Sequence, residues 1–134
     1  MGLLGHPSNC RGVVASGAGR RWARRTIEGS DVDRLFARVD GLSAPGSVLL
    51  YDVVGKALLQ APFLQTTIEF IQKLGAPWVF GSDTPGVLVE GRGWSATVTD
   101  MAIPGNEWKR WPHPAIPADV PGAPRGYLIE AVKT

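Results

Sequence analysis

Cysteine is nearly absent from this chain: Cys10 stands alone. A disulfide within the chain is therefore excluded, and a reducing compartment is the natural setting. Histidine is almost as scarce. His6 and His113 lie far apart in sequence, neither in a ligand-spaced cluster, so no metal site is expected. No apolar run approaches the roughly 20 residues needed to cross a bilayer. The N-terminus carries no apolar stretch of signal-peptide length. A cytoplasmic location with no membrane partner is expected. A large excess of one charge is missing too. Lys and Arg total 14, Asp and Glu total 12, and the net charge is +2, so the whole molecule is not built to neutralise nucleic acid. There is no P-loop and no Ser/His/Asp or Cys/His arrangement.

What is present fits one domain. Across 134 residues the hydrophobic share is 44% and the charged share 19%, which is the composition of a globular chain with a modest core. The 17 Gly and 11 Pro concentrate in the first thirty residues and the last third, where long loops are expected. The organising stretch is 43–55. Pro45-Gly46 marks a turn, Val48-Leu49-Leu50-Tyr51-Asp52-Val53-Val54 is nearly all apolar, and Gly55 ends it. Such a run predicts a strand covered on both faces, as in sheets flanked by helices.

The flanks are helical in pattern. Val32, Leu35, Phe36, Val39 and Leu42 recur at helical spacing over 31–42. Ser30 with Asp33 reads as a capping box ahead of them. Lys56-Ala57-Leu58-Leu59 can form a helical turn before Pro62. Phe63, Leu64, Thr67, Ile68, Ile71 and Leu74 then mark a second helix over 62–74, with Gly75 as its C-cap glycine and Pro77 as a stop. In the loop 81–86, Asp83 or Thr84 is expected to cap a short helix over Val87-Leu88-Val89-Glu90.

Residues 94–101 alternate with period two, as a half-exposed strand does. Residues 104–126 form a long Pro/Gly/Trp-rich connection. With Trp108 and Trp111 in it, this segment is expected to lie against the domain. Residues 127–132 form the closing strand. The class is therefore α/β, with a sheet that is antiparallel at its end. At the other end, 1–27 is read as a flexible or degenerate segment. Within it Val13-Val14-Ala15 can form a short strand and Gly17-Ala18-Gly19 a tight turn, followed by Arg20, Arg21, Arg24 and Arg25.

Several stretches together resemble a known family. They are Ile27-Glu28-Gly29, the run 31–47, Gly75-Ala76-Pro77-Trp78-Val79-Phe80-Gly81-Ser82-Asp83, Gly93-Trp94, and Pro124-Arg125-Gly126-Tyr127-Leu128-Ile129-Glu130-Ala131-Val132-Lys133. In this order they resemble the S-adenosylmethionine-dependent methyltransferases related to leucine carboxyl methyltransferase, a group with many bacterial O-methyltransferases. The resemblance covers about 28–134. It implies a Rossmann-like class I methyltransferase fold with a mixed sheet, in which 48–54 is the fifth strand, 94–101 the sixth and 126–133 the antiparallel seventh. It also implies an incomplete fold, because the family is roughly twice this length. Residues 28–134 would be the C-terminal part of the methyltransferase domain.

The same resemblance implies a cofactor, S-adenosylmethionine, and a small-molecule carboxylate or hydroxyl as methyl acceptor. Gly17, Ala18 and Gly19 would form the glycine-rich loop that cups the cofactor, since glycine permits close backbone approach. Glu28 would stand near the cofactor at the end of the fourth strand. Against these, Asp52 reads as a partnered structural carboxylate, and Trp108 and Trp111 either wall an apolar pocket or pack the loop on the sheet. Two other functions compete. One is a non-catalytic remnant of the fold that self-associates through an exposed sheet edge. The other is a binder of nucleic acid or an anionic surface through the arginines at 20–25, which a single short cluster supports only weakly.

Overall fold

The computed structural model describes Val13–Ala15 and residues 29–134. The elements are β1 (Val13–Ala15), α1 (Gly29–Leu42), β2 (Val48–Val54), α2 (Lys56–Leu59), α3 (Gln65–Lys73), α4 (Val87–Glu90), β3 (Trp94–Asp100), α5 (Ala102–Glu107) and β4 (Gly126–Lys133). The α/β class is as expected. The sheet order is β1-β2-β4-β3. β4 is antiparallel to both β2 and β3, and β1 runs parallel beside β2. β2 and β3 therefore point the same way, with the last strand of the chain inserted between them. Among the described residues, no helix is long and apolar enough to cross a membrane.

α1 forms because its apolar residues fall on one stripe. Val32, Phe36 and Val39 pack on the sheet, while Leu35 and Leu42 are exposed. The Phe36 and Tyr51 rings meet edge to face at 4.9 Å. The helix already begins at Gly29. Ser30 thus sits inside the first turn rather than at the cap, and the capping-box expectation fails. Asp31 instead pairs with Arg34 at 2.9 Å, and Asp33 faces Arg92.

At the other end of α1 a polar knot closes the helix. Lys133 Nζ donates to the carbonyls of Asp40 (2.7 Å) and Ser43 (3.0 Å), which are C-terminal carbonyls of the kind left without helical partners. It also meets the Asp40 carboxylate at 2.9 Å, and the Trp94 indole N–H donates to that carboxylate at 2.9 Å.

The helical turn at 56–59 and the helix ahead of Gly75 both form. Pro62–Leu64 is a 3₁₀ turn that leads into α3. Gly75, at φ 80°, sits in the left-handed position. Its N–H reaches the Gln72 carbonyl and the Ala76 N–H reaches the Ile71 carbonyl, a Schellman stop.

The central strand departs from expectation. Its burial alternates: Leu49, Tyr51 and Val53 are buried, while Val48, Leu50 and Asp52 are exposed. Among the described residues, one face of the sheet is covered, by α1 and α4, with Val89, Trp94, Ile129 and Ala131 completing the core. The apolar run that predicted burial on two faces thus has a lining on one. Leu50 is 47% exposed and Leu128 42% exposed on the open face, with Val48 and Val132 beside them.

Candidate functional site

Because β2 and β3 are parallel, their carboxyl ends share one edge of the sheet, the place where ligands bind open α/β sheets. The backbone there is drawn tight. Gly55 N–H donates to the Arg125 carbonyl at 2.8 Å, and Ser82 N–H donates to the Val54 carbonyl at 2.9 Å. The loop 81–85 is thereby folded over the end of β2. Two glycines permit this approach. A Cβ on Gly81 would lie 3.0 Å from the Val54 carbonyl oxygen, and one on Gly55 would lie 3.0 Å from that of Arg125.

Asp83 is fixed by this fold-over. Its Oδ1 accepts the Lys56 backbone N–H at 2.9 Å, so it caps the start of α2. The expected cap of α4 is absent: Gly86 precedes that helix without a side-chain bond, and neither Asp83 nor Thr84 serves it.

Beside Asp83 lies a shallow groove of about 290 Å³, lined by Thr84, Pro85, Glu90, Val98 and Tyr127 among others. Its ionisable lining consists of two carboxylates and a phenol. Burial, and next the charge of Asp83, push the Tyr127 hydroxyl above its ordinary pKa. Beneath the same loop, Tyr51 donates its hydroxyl to the Pro85 carbonyl at 2.8 Å. Burial, and then the charge of Glu90, raise its pKa to about 12. Both phenols therefore stay protonated at neutral pH. A groove bordered by carboxylates and protonated phenols favours a ligand carrying positive charge.

Two further charged groups at this end, Arg125 and Asp100, are engaged in structure. Arg125 pairs with Asp100 at 2.8 Å, with both side chains largely buried. It also donates to the carbonyls of Ile116 (2.7 Å), Pro117 and Val120 (3.4 Å). The second Asp100 oxygen accepts the Ala102 N–H at 2.9 Å, at the start of α5. Asn106 ties the same connection by donating to the His113 carbonyl at 2.7 Å and accepting the Ala115 N–H at 2.6 Å.

The long connection was expected to be held by its tryptophans. It is held by these polar bonds instead. Trp108 is 69% exposed, and Trp111 is exposed while resting on Gly105. The Trp111 contact is with Gly105, inside the connection itself.

The residues named from the sequence fall in three places. Gly17, Ala18, Gly19 and Glu28 lie outside the described residues. Asp52 is exposed and forms no ion pair among the described residues, so the expected partnered structural carboxylate is not found. Asp83 is at the carboxyl edge. Tyr127 and Glu90 join it there only through the topology, and no local spacing in the sequence links them. Among the described residues, no three His, Cys, Asp or Glu side chains gather as metal ligands. No protein-family model matches the chain, and no curated protein matches it.

Proposed function

We propose that this chain carries the C-terminal part of a Rossmann-like S-adenosylmethionine-dependent methyltransferase domain, of the group related to leucine carboxyl methyltransferase. The observation that carries this reading is the strand arrangement. The closing strand, β4, is the one that runs antiparallel, between two strands that are parallel to each other. An antiparallel last strand is what the resemblance implies, and this supports the reading. The edge with Asp83, Glu90 and Tyr127 supports a cofactor role, because a sulfonium is a cation and its positive charge suits a carboxylate-lined groove. In this reading Gly17, Ala18 and Gly19 cup the amino-acid part of the cofactor and its ribose, and Glu28 stands nearby.

When bound, S-adenosylmethionine supplies an activated methyl group for in-line displacement by a carboxylate or hydroxyl of a small molecule. The chain's part is alignment and proximity. A general base is needed only for a hydroxyl acceptor. A cytoplasmic setting goes with this reading, as does the absence of a nucleic-acid partner.

Calorimetric titration with S-adenosylmethionine and S-adenosylhomocysteine tests it. Saturable binding to the folded chain is expected. A flat titration of a protein that is folded by circular dichroism overturns it. A second reading, a non-catalytic remnant that self-associates, is favoured by a separate observation: the apolar face made by Val48, Leu50, Leu128 and Val132, which no described residue covers.

A further inference from the structure

β3 ends the sheet, and its outer edge carries no strand among the described residues. The hydrogen bonds at its two ends set which backbone groups point outward. Met101 N–H bonds to the Gly126 carbonyl at 3.0 Å, and Thr134 N–H bonds to the Gly93 carbonyl at 3.0 Å. In an antiparallel ladder the bonded residues alternate. Ser95, Thr97 and Thr99 therefore exchange bonds with β4. Trp94, Ala96, Val98 and Asp100 turn their N–H and carbonyl groups toward the free edge.

Natural edges are usually blocked by lysine, proline, a bulge or a covering loop. β3 reads Trp-Ser-Ala-Thr-Val-Thr-Asp and has neither lysine nor proline. Its one charge, Asp100, is held by Arg125. Threonine and valine are strong strand formers. Val98, on this edge, is 43% exposed, and Val87 of α4 nearby is exposed as well.

We propose that β3 pairs antiparallel with β3 of a second copy of this chain, about a two-fold axis at Thr97. The choice of a second copy rests on self-complementarity. With Thr97 opposite Thr97, the outward-pointing residues meet each other: Trp94 faces Asp100, and Ala96 faces Val98. The two strands then overlap along the whole of β3 and exchange up to about eight backbone bonds. On the open face Ser95 faces Thr99, so hydroxyl side chains meet hydroxyl side chains, and like charges are nowhere directly opposed. The pairing joins two sheets into one and is isologous, the commonest closed symmetry of oligomers. It gives self-association a different surface, the β3 edge rather than the open apolar face, and does not depend on cofactor binding, so a flat S-adenosylmethionine titration leaves it standing.

The register makes a specific experiment available. Light scattering after size exclusion of the full chain is expected to give twice the 14.3 kDa chain mass at micromolar concentration. The double variant Ser95→Lys/Thr99→Lys sets lysine against lysine across the seam twice. Its dimerisation is expected to weaken about ten-fold or more. The variant Ser95→Lys/Thr99→Glu changes the same two exposed positions but sets lysine against glutamate, and it is expected to remain a dimer. A monomeric parent chain overturns the proposal. So does a dimer that survives Ser95→Lys/Thr99→Lys and is lost in Leu50→Lys, because association would then run through the open face. Equal loss of dimer in both double variants also overturns it, since the register would be wrong.

Discussion

Two side chains show how single residues tie stability to pH. Tyr51 is buried, and its hydroxyl is matched to one carbonyl, that of Pro85. Its pKa in the folded protein is about 12, against 10.0 for an ordinary tyrosine. Below pH 10 the phenol is neutral in both states and costs nothing. Between about pH 10 and 12 only the unfolded chain ionises it, so stability falls across that window. Tyr51→Phe should lower stability at neutral pH by about 1–2 kcal/mol, because the Pro85 carbonyl loses its donor. The same change should flatten the alkaline loss, and urea unfolding at a series of pH values checks both.

Asp40 works in the opposite direction. The Lys133 hydrogen bond, then that of Trp94, hold its carboxyl below the ordinary aspartate value of 3.8. Its stabilising effect is fully present above that value. It is lost as pH falls through the lower, folded pKa. Asp40→Asn should therefore remove part of the acid sensitivity, which acid unfolding of the two proteins side by side would reveal.

Among the elements, the later part of the connection between α5 and β4, 116–120, is tied by one side chain. Arg125 joins Asp100 to three carbonyls of the loop that precedes it. Arg125→Met keeps much of the volume but leaves Asp100 largely buried and without its charge partner. A loss of about 2–3 kcal/mol is expected, somewhat less than for a fully buried pair. Cleavage within 108–124 under limited proteolysis should speed up as well, while β2 and β4 stay protected.

That segment also shows where sequence reading ends. α1 was legible by its helical period, β3 by its alternation and β2 as an apolar run between turn residues, and Gly75 was legible as a stop because its conformation is local. The role of Arg125 was not, because three of its four partners are backbone carbonyls, which no residue type announces. Asp83 illustrates the same limit. As a capping residue it was recognisable, but it caps α2, 27 positions away in sequence, rather than α4. Likewise the groove at the carboxyl edge brings Glu90 and Tyr127 together only after β4 has inserted between β2 and β3.

For the whole molecule, the decisive fact is that a strand written for two apolar faces has only one of them covered by the described residues. Composition could not reveal this, because Val48-Leu49-Leu50 reads the same whichever side is covered. Neighbouring leucines now separate the possibilities. Leu49 is 1% exposed, inside the core. Leu49→Ala should cost about 3 kcal/mol through lost burial and the cavity it leaves. Leu50→Ala, one residue on and facing the other way, should cost less than about 1 kcal/mol, because much of its side chain already meets water. Denaturant unfolding at two protein concentrations measures both changes. If Leu50→Ala costs as much as Leu49→Ala at either concentration, the face is covered in solution. A cost that grows with protein concentration would then assign the cover to a second molecule, and one independent of it to the chain itself. Pairing through β3 predicts neither result. It lengthens the sheet sideways and leaves Leu50 and Leu128 exposed in both copies, so the small cost should hold in the dimer as in the monomer.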